Sequence, residues 1–277
     1  MKIFSSVTVL LCFAIGALPP SPALGQSAQP DADFGKWQFT ATLYAWVPII
    51  DGQVNFPDDK GSTGIHVSMK NVLSHLKMTF QGSLDANNGR WGIFNDIVYV
   101  DVGGVKSKSH DLILGDVGIP ATATADLSLD LKSLIWTVAG EYRVASDPAW
   151  TVDLMGGARR LRMKPTLGYA ITGELGQVVI PGRNGVKQVD EGVWDGIVGV
   201  KGRYTFGDDG KWFVPFYLDV GTGQSQLTWQ ISSGLGYSYN WGSVFATWRY
   251  LDYKFPSGKA LDNISMSGPM LAAALHW

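Results

Sequence analysis

Residues 265–277 read SMSGPMLAAALHW. The odd positions are Ser265, Ser267, Pro269, Leu271, Ala273, Leu275 and Trp277; the even ones are Met266, Gly268, Met270, Ala272, Ala274 and His276. The chain ends on an aromatic residue with apolar residues two, four and six positions before it, and period-two alternation is a strand signal. Such a terminal strand suits a closed membrane β-barrel, in which the last strand pairs with the first and no edge remains. An edge strand of a soluble sandwich is the competing reading.

Outward from that strand, the same alternation recurs. In 37–47, Trp37, Phe39, Ala41, Leu43, Ala45 and Val47 share one face and Gln38, Thr40, Thr42 and Tyr44 the other. Residues 76–84 set Leu76, Met78, Phe80, Gly82 and Leu84 against Lys77, Thr79, Gln81 and Ser83. Residues 194–206 set Trp194, Val198, Val200, Tyr204 and Phe206 against Asp195, Lys201 and Arg203. Further strands are predicted at 91–101, 125–142, 150–162, 212–220, 227–239, 244–254 and 264–277. Most are near the ~9–11 residues that a tilted strand needs to cross a bilayer. Two irregularities are expected. The apolar parity of 125–142 shifts near Leu131, which suggests a bulge, and Pro215 cannot donate to a ladder, which suggests another.

The connections separate barrel from sandwich. From a periplasmic start, the inner turns fall at 86–90, 143–149, 207–211 and 240–243, all short. The outer loops fall at 48–75, 102–123, 163–193, 221–226 and 255–263, three of them long. Short turns on one side and long loops on the other are the pattern of outer-membrane barrels. Trp37, Trp91, Trp150, Trp212, Trp241 and Trp277 all fall at the short-turn ends, as expected of an interface girdle. Trp46, Trp194 and Trp229 fall near the other end. The expected fold is therefore all-β: a closed antiparallel transmembrane barrel of about ten strands, with eight and twelve as the neighbouring even counts.

Composition agrees. Charged residues make up 17%, with 34 Gly and 11 Trp, against about a quarter charged in a soluble protein. The formal net charge of -2 predicts no nucleic-acid partner. Residues 1–25 read as a secretory signal: Lys2 is basic, an apolar run follows, Pro19, Pro20 and Pro22 break it, and Ala23 and Gly25 supply small residues before the cut. The only cysteine, Cys12, lies inside that segment. Residues 26–35 are then a periplasmic lead-in and 36–277 the barrel.

The sequence also resembles a family of Gram-negative outer-membrane β-barrel proteins, small porin-like barrels to which no reaction is assigned. The stretches GRWGIFND at 89–96, LTWQ at 227–230, WRYLDY at 248–253 and SGP at 267–269 carry the resemblance. It implies fold and location. In such barrels a terminal aromatic strand is part of the assembly signal, which here would be Leu271, Leu275 and Trp277, read by the barrel-assembly machinery.

The inward faces carry the chemistry. Lys77, Asp85, Asp96, Glu141, Asp153, Arg159, Asp195, Lys201, Arg203, Asp219 and Arg249 are expected to line the lumen. Their signs nearly balance, so in a narrow interior they should pair; a ring of one sign, which would favour ion selectivity, is not visible. His276 reads as a lumen residue near the periplasmic rim. His110 and Asp111 sit on an outer loop, where a solvated pair is the plainer reading than a catalytic one. No metal spacing, phosphate loop or haem motif occurs, and neither cofactor nor catalytic residues are expected. Two functions remain: a small porin-like channel or passive barrel with a narrow polar lumen, or a plugged barrel that binds or adheres through its long extracellular loops. The partners expected are outer-membrane lipid, the assembly machinery, and a small solute or extracellular ligand.

Overall fold

The computed structural model describes residues 35–55, 62–108, 123–175, 178–188, 190–259 and 261–277. The predicted signal 1–25, the lead-in up to residue 34 and the His110/Asp111 pair lie outside these residues. In chain order the elements are β1 (Gln38–Trp46), β2 (Ile49–Asn55), β3 (Ser62–Val67), α1 (Met69–Ser74), β4 (Leu76–Asn87), β5 (Trp91–Lys108) and β6 (Ala123–Ser146). There follow β7 (Trp150–Leu175), β8 (Val178–Gln188), β9 (Glu191–Phe206), β10 (Trp212–Gly223), β11 (Leu227–Tyr239), β12 (Gly242–Lys254) and β13 (Leu261–His276).

Ten of these strands close an antiparallel barrel in the order β1-β4-β5-β6-β7-β9-β10-β11-β12-β13. β13 returns to β1 with Thr40 opposite His276 and Trp46 opposite Met270. The alternating terminal stretch is thus the seam, and closure satisfies the hydrogen-bonding edge that a lone last strand would expose. The short turns at one end contain Gly89, Gly207 and Gly210 with φ of 87°, 87° and 61°, the left-handed region that glycine enters without a Cβ clash.

At the opposite end the wall does not stop at membrane height. β6 and β7 are 24 and 26 residues long, far more than the ~9–11 that cross a bilayer. β8 pairs with β7, so much of the predicted loop 163–193 is strand. The predicted loop 48–75 is also structured. β2 continues where β1 leaves off, pairing with the upper part of β13 from Ser267↔Ile49 to Leu261↔Val54. The transition passes over Gly268, where a Cβ would lie 2.3 Å from the Val47 carbonyl oxygen. β2 pairs with β3, and α1 leads back to the wall, its N-cap Ser68 accepting from the Asn71 N–H at 3.3 Å. Ile50, Val67 and Val72 from this excursion join Val98, Val102, Leu131, Ile135, Leu161, Met163, Val193, Leu251 and Tyr253 in one buried apolar cluster.

That cluster corrects two expectations. β6 holds a continuous register with β7 through Leu131↔Pro165 and Ser133↔Met163, so the parity shift is not a bulge in β6. Odd residues stay inward; what changes is the environment, apolar inside at Leu131 and polar inside at Thr137 and Glu141. The bulge at this height is on the partner strand, between Val102 and Val105, at Gly104 with φ 76°. Trp46, placed near the outer interface by its position in sequence, is 2% exposed and part of the apolar cluster, because it shares the inward parity of Thr42 and Tyr44. Pro215 makes no bulge either. Pro215↔Arg203 sits in an unbroken β9–β10 register. On its other side rungs are missing without a slip, and the Ser233 hydroxyl donates to the Pro215 carbonyl at 3.0 Å. A missing donor deletes a hydrogen bond but need not shift the ladder.

Candidate functional site: the barrel interior

The outward wall defines where the membrane sits. Leu43, Phe80, Leu84, Ile93, Leu154, Val198, Leu218, Ile231 and Leu271 are all exposed on it. At the short-turn end, Trp91 packs on Tyr142 (4.8 Å between centroids), Trp150 on Tyr204 (4.6 Å) and Trp212 on Tyr237 (5.1 Å). Trp241 stacks on Tyr239 at 5.6 Å and Trp277 on Phe39 at 6.0 Å, while Trp37 is exposed at the same end. An apolar band bounded by aromatic residues is what lipid requires of a barrel. The protein is an integral outer-membrane β-barrel, with the short turns on the periplasmic side.

Above the band, the outward face turns charged. Arg160 lies over Trp194 at 5.3 Å. Arg162 and Lys164 contact Asp190 at 2.9 and 2.8 Å and hold its carboxyl well below the usual range, chiefly through the Arg162 hydrogen bond. Lys132 reaches Asp101 at 3.2 Å. Lys77 belongs here and not in the lumen. The ladder slips between Leu76 and Met78, which turns Lys77 outward, 56% exposed, onto Asp130 at 2.8 Å.

Inside, three layers succeed one another from the extracellular end. The first is the apolar cluster. Directly beneath it lie two buried ion-pair clusters. The Arg159 side chain, fully buried, forks onto Asp219, with Nη1–Oδ1 at 3.0 Å and Nη2 donating to Oδ2. Its Nε donates to Thr137 Oγ1 at 3.1 Å and Nη2 to Tyr217 OH at 3.3 Å. Arg249 donates to Asp96 at 2.9 Å, to Gln230 Oε1 at 3.2 and 2.9 Å, and to Tyr44 OH at 3.1 Å. Tyr44 donates in turn to Asp96, and the guanidinium carbon lies 4.7 Å from the centroid of the Trp46 ring. Both arginines use most of their donors, which is the condition under which a buried charge is tolerable.

The third layer opens to the periplasm. Lys201 contacts Asp85 and, at 2.6 Å, Glu141. Arg143 forks onto Asp153 at 2.8 and 3.0 Å. A cavity of about 290 Å³ runs from Arg249, Asp96 and Lys201 down to Arg203, Phe213 and His276. His276 contacts Thr40 Oγ1 at 3.0 Å and Ser243 Oγ at 3.4 Å.

Of the charged residues predicted to line the lumen, two, Asp195 and Arg203, have no salt bridge among the described residues. Asp195 is 1% exposed; Oδ1 accepts from the Ser225 N–H at 2.8 Å and Oδ2 has no partner. Arg159, opposite it in the ladder, turns to Asp219 instead. The Arg203 guanidinium lies over the Phe213 ring at 5.3 Å. Arg143 lies in the stretch 143–149 that the sequence suggests as a turn, yet it belongs to β6. One further alternation beyond Glu141 would have found it, since β6 runs on to Ser146.

Outside the barrel interior, His66 Nδ1 lies 2.5 Å from Asp51 Oδ1 on the β2–β3 hairpin. Ser265 opposes Asp51 from the other side, so the carboxylate stands between imidazole and hydroxyl. A base–nucleophile contact needs the imidazole in the middle.

No protein-family model and no curated protein matches this sequence. Among solved structures, the outer-membrane protease OmpT of Escherichia coli is similar at 9% identity and TM-score 0.48, covering 88% of this chain and 97% of that one. The translocator domain of the autotransporter NalP of Neisseria meningitidis is similar at 13% identity and TM-score 0.40, with 88% and 90% covered. Ail of Yersinia pestis is similar at 9% identity and TM-score 0.34, with 87% and 98% covered. Likeness at this level transfers no activity.

Proposed function

We propose that this barrel does not conduct and acts through its extracellular extension, binding a surface or extracellular partner there. The observation that supports it is the apolar cluster that joins wall residues such as Leu161, Val193 and Leu251 to Ile50, Val67 and Val72 of the folded first loop. A water path would have to cross this layer and then the buried arginine clusters beneath it. The strands that continue above the band, β5 to β8, supply the surface. The test is planar-bilayer recording of the refolded barrel. The reading expects a closed baseline; large, stable openings would overturn it and make passive diffusion of a small solute the leading function.

Two further proposals concern biogenesis. Residues 1–25 direct export and are removed. Leu271, Leu275 and Trp277, all exposed on the closing strand, form the signal read by the barrel-assembly machinery. Trp277→Ser should leave export intact and slow insertion; normal levels of folded variant in the outer membrane would refute that role.

A further inference from the structure

The cavity below the seal has walls, a mouth and one charge left over. Its apolar lining includes Phe94, Phe213, Phe245 and Met270. Its mouth lies at the periplasmic rim: Thr40 and His276 are within three residues of strand ends, as are Arg203 and Phe213. The other charged lining residues have ionic partners, Arg249 with Asp96 and Lys201 with Asp85 and Glu141. Arg203 does not. It is half-buried, and no carboxylate among the described residues meets it. Its guanidinium carbon lies over the Phe213 ring at 5.3 Å, and no hydrogen-bond acceptor among the described residues engages its N–H groups, so they are available to a bidentate acceptor.

We infer that this vestibule binds a small organic monoanion from the periplasmic side: a carboxylate carried on an apolar body. The carboxylate pairs with the guanidinium edge of Arg203, the geometry for which arginine is preferred over lysine. The apolar body lies against the phenylalanines. The volume, about 290 Å³, is at the lower limit of small-molecule pockets, roughly 300–1,000 Å³. The site lies on the periplasmic side of the seal and is independent of what the extracellular extension binds.

The test is calorimetric titration of the refolded full barrel with benzoate, and with benzyl alcohol and inorganic phosphate as partial mimics. Benzoate should bind, benzyl alcohol at least tenfold more weakly. Arg203→Gln should lose tenfold or more in benzoate affinity, and Arg203→Lys, which keeps the charge without the fork, should fall between. Arg203 forms no ion pair, so both variants should keep the heat-modifiable gel mobility of a folded barrel. Absence of benzoate binding at millimolar concentration, or equal binding by Arg203→Gln, would overturn the proposal. Equal binding of benzyl alcohol would remove the anion from it, and tighter binding of inorganic phosphate would remove the apolar body.

Discussion

The extracellular and periplasmic halves of the interior are built from the same strands with the same inward parity, yet their chemistry is opposite. On β7, Leu161 and Met163 point inward where Arg162 and Lys164 point outward; lower down Asp153 points inward where Leu154 points outward. β6 repeats this, with Leu131 inside and Lys132 outside above, and Glu141 inside below. The outer solvent sets the rule. In lipid, the outer face must be apolar, and the polar residues of an alternating strand have only the lumen. Above the lipid, water takes the polar face, and the interior becomes an ordinary apolar core. A barrel that rises out of its membrane therefore carries an apolar core above its polar lumen.

Four measurements bear on this contrast, each read as stability by gel mobility after urea titration. The largest effect should come from Arg249→Ala at the boundary. Removing it strands Asp96 in the interior, and breaking one partner of a buried pair costs about 3–5 kcal/mol. A loss below about 1 kcal/mol would mean that water already reaches this layer.

Leu161→Ala tests the seal itself. A buried leucine truncated in a packed core costs about 2–5 kcal/mol, and single-channel recording of the same variant should reveal whether the cluster is the barrier. An effect no greater than that of an exposed alanine substitution would dissolve the distinction between the halves.

Val200→Lys and Thr205→Lys compare the two faces of β9 directly. A lysine at the lipid midplane costs roughly 2–4 kcal/mol, whereas Thr205, on the inward parity near the periplasmic end, has water beside it. Equal costs, or the reverse order, would invalidate the face assignment on which the contrast rests.

The smallest effect should be at Lys164. It is partly exposed above the lipid band, its side chain at 33%, and pairs with Asp190 at 41%; ion pairs this accessible to water contribute little. Lys164→Ala should leave the unfolding midpoint unchanged; a marked shift would place lipid at this height and raise the membrane boundary to the level of the apolar cluster.

The candidate site was partly legible in the sequence. Alternation carries Asp96, Arg159, Asp219 and Arg249 onto inward parity, and their near balance of sign implies pairing. It does not say which acid each base takes. Asp195 is directly across the ladder from Arg159, but the longer reach to Asp219 wins, since that carboxylate accepts both arms of the guanidinium. Lys77 had the right parity and the wrong face, because a one-residue slip reverses every side chain beyond it.

The sequence by itself determined the ten wall strands, their closure, the short-turn side and the apolar wall, because a period of two is local and survives in a linear chain. Tertiary structure alone decided the rest. The first long loop folds inward because Ile50, Val67 and Val72 meet apolar partners on distant strands. Trp46 becomes core because that layer lies above the charges. Arg203 is left beside an open cavity because the nearby acids are taken by Lys201 and Arg143. Each depends on which side chains converge across a barrel from distant positions, as Tyr44 and Arg249 do from 205 residues apart, and no spacing in the chain encodes that distance.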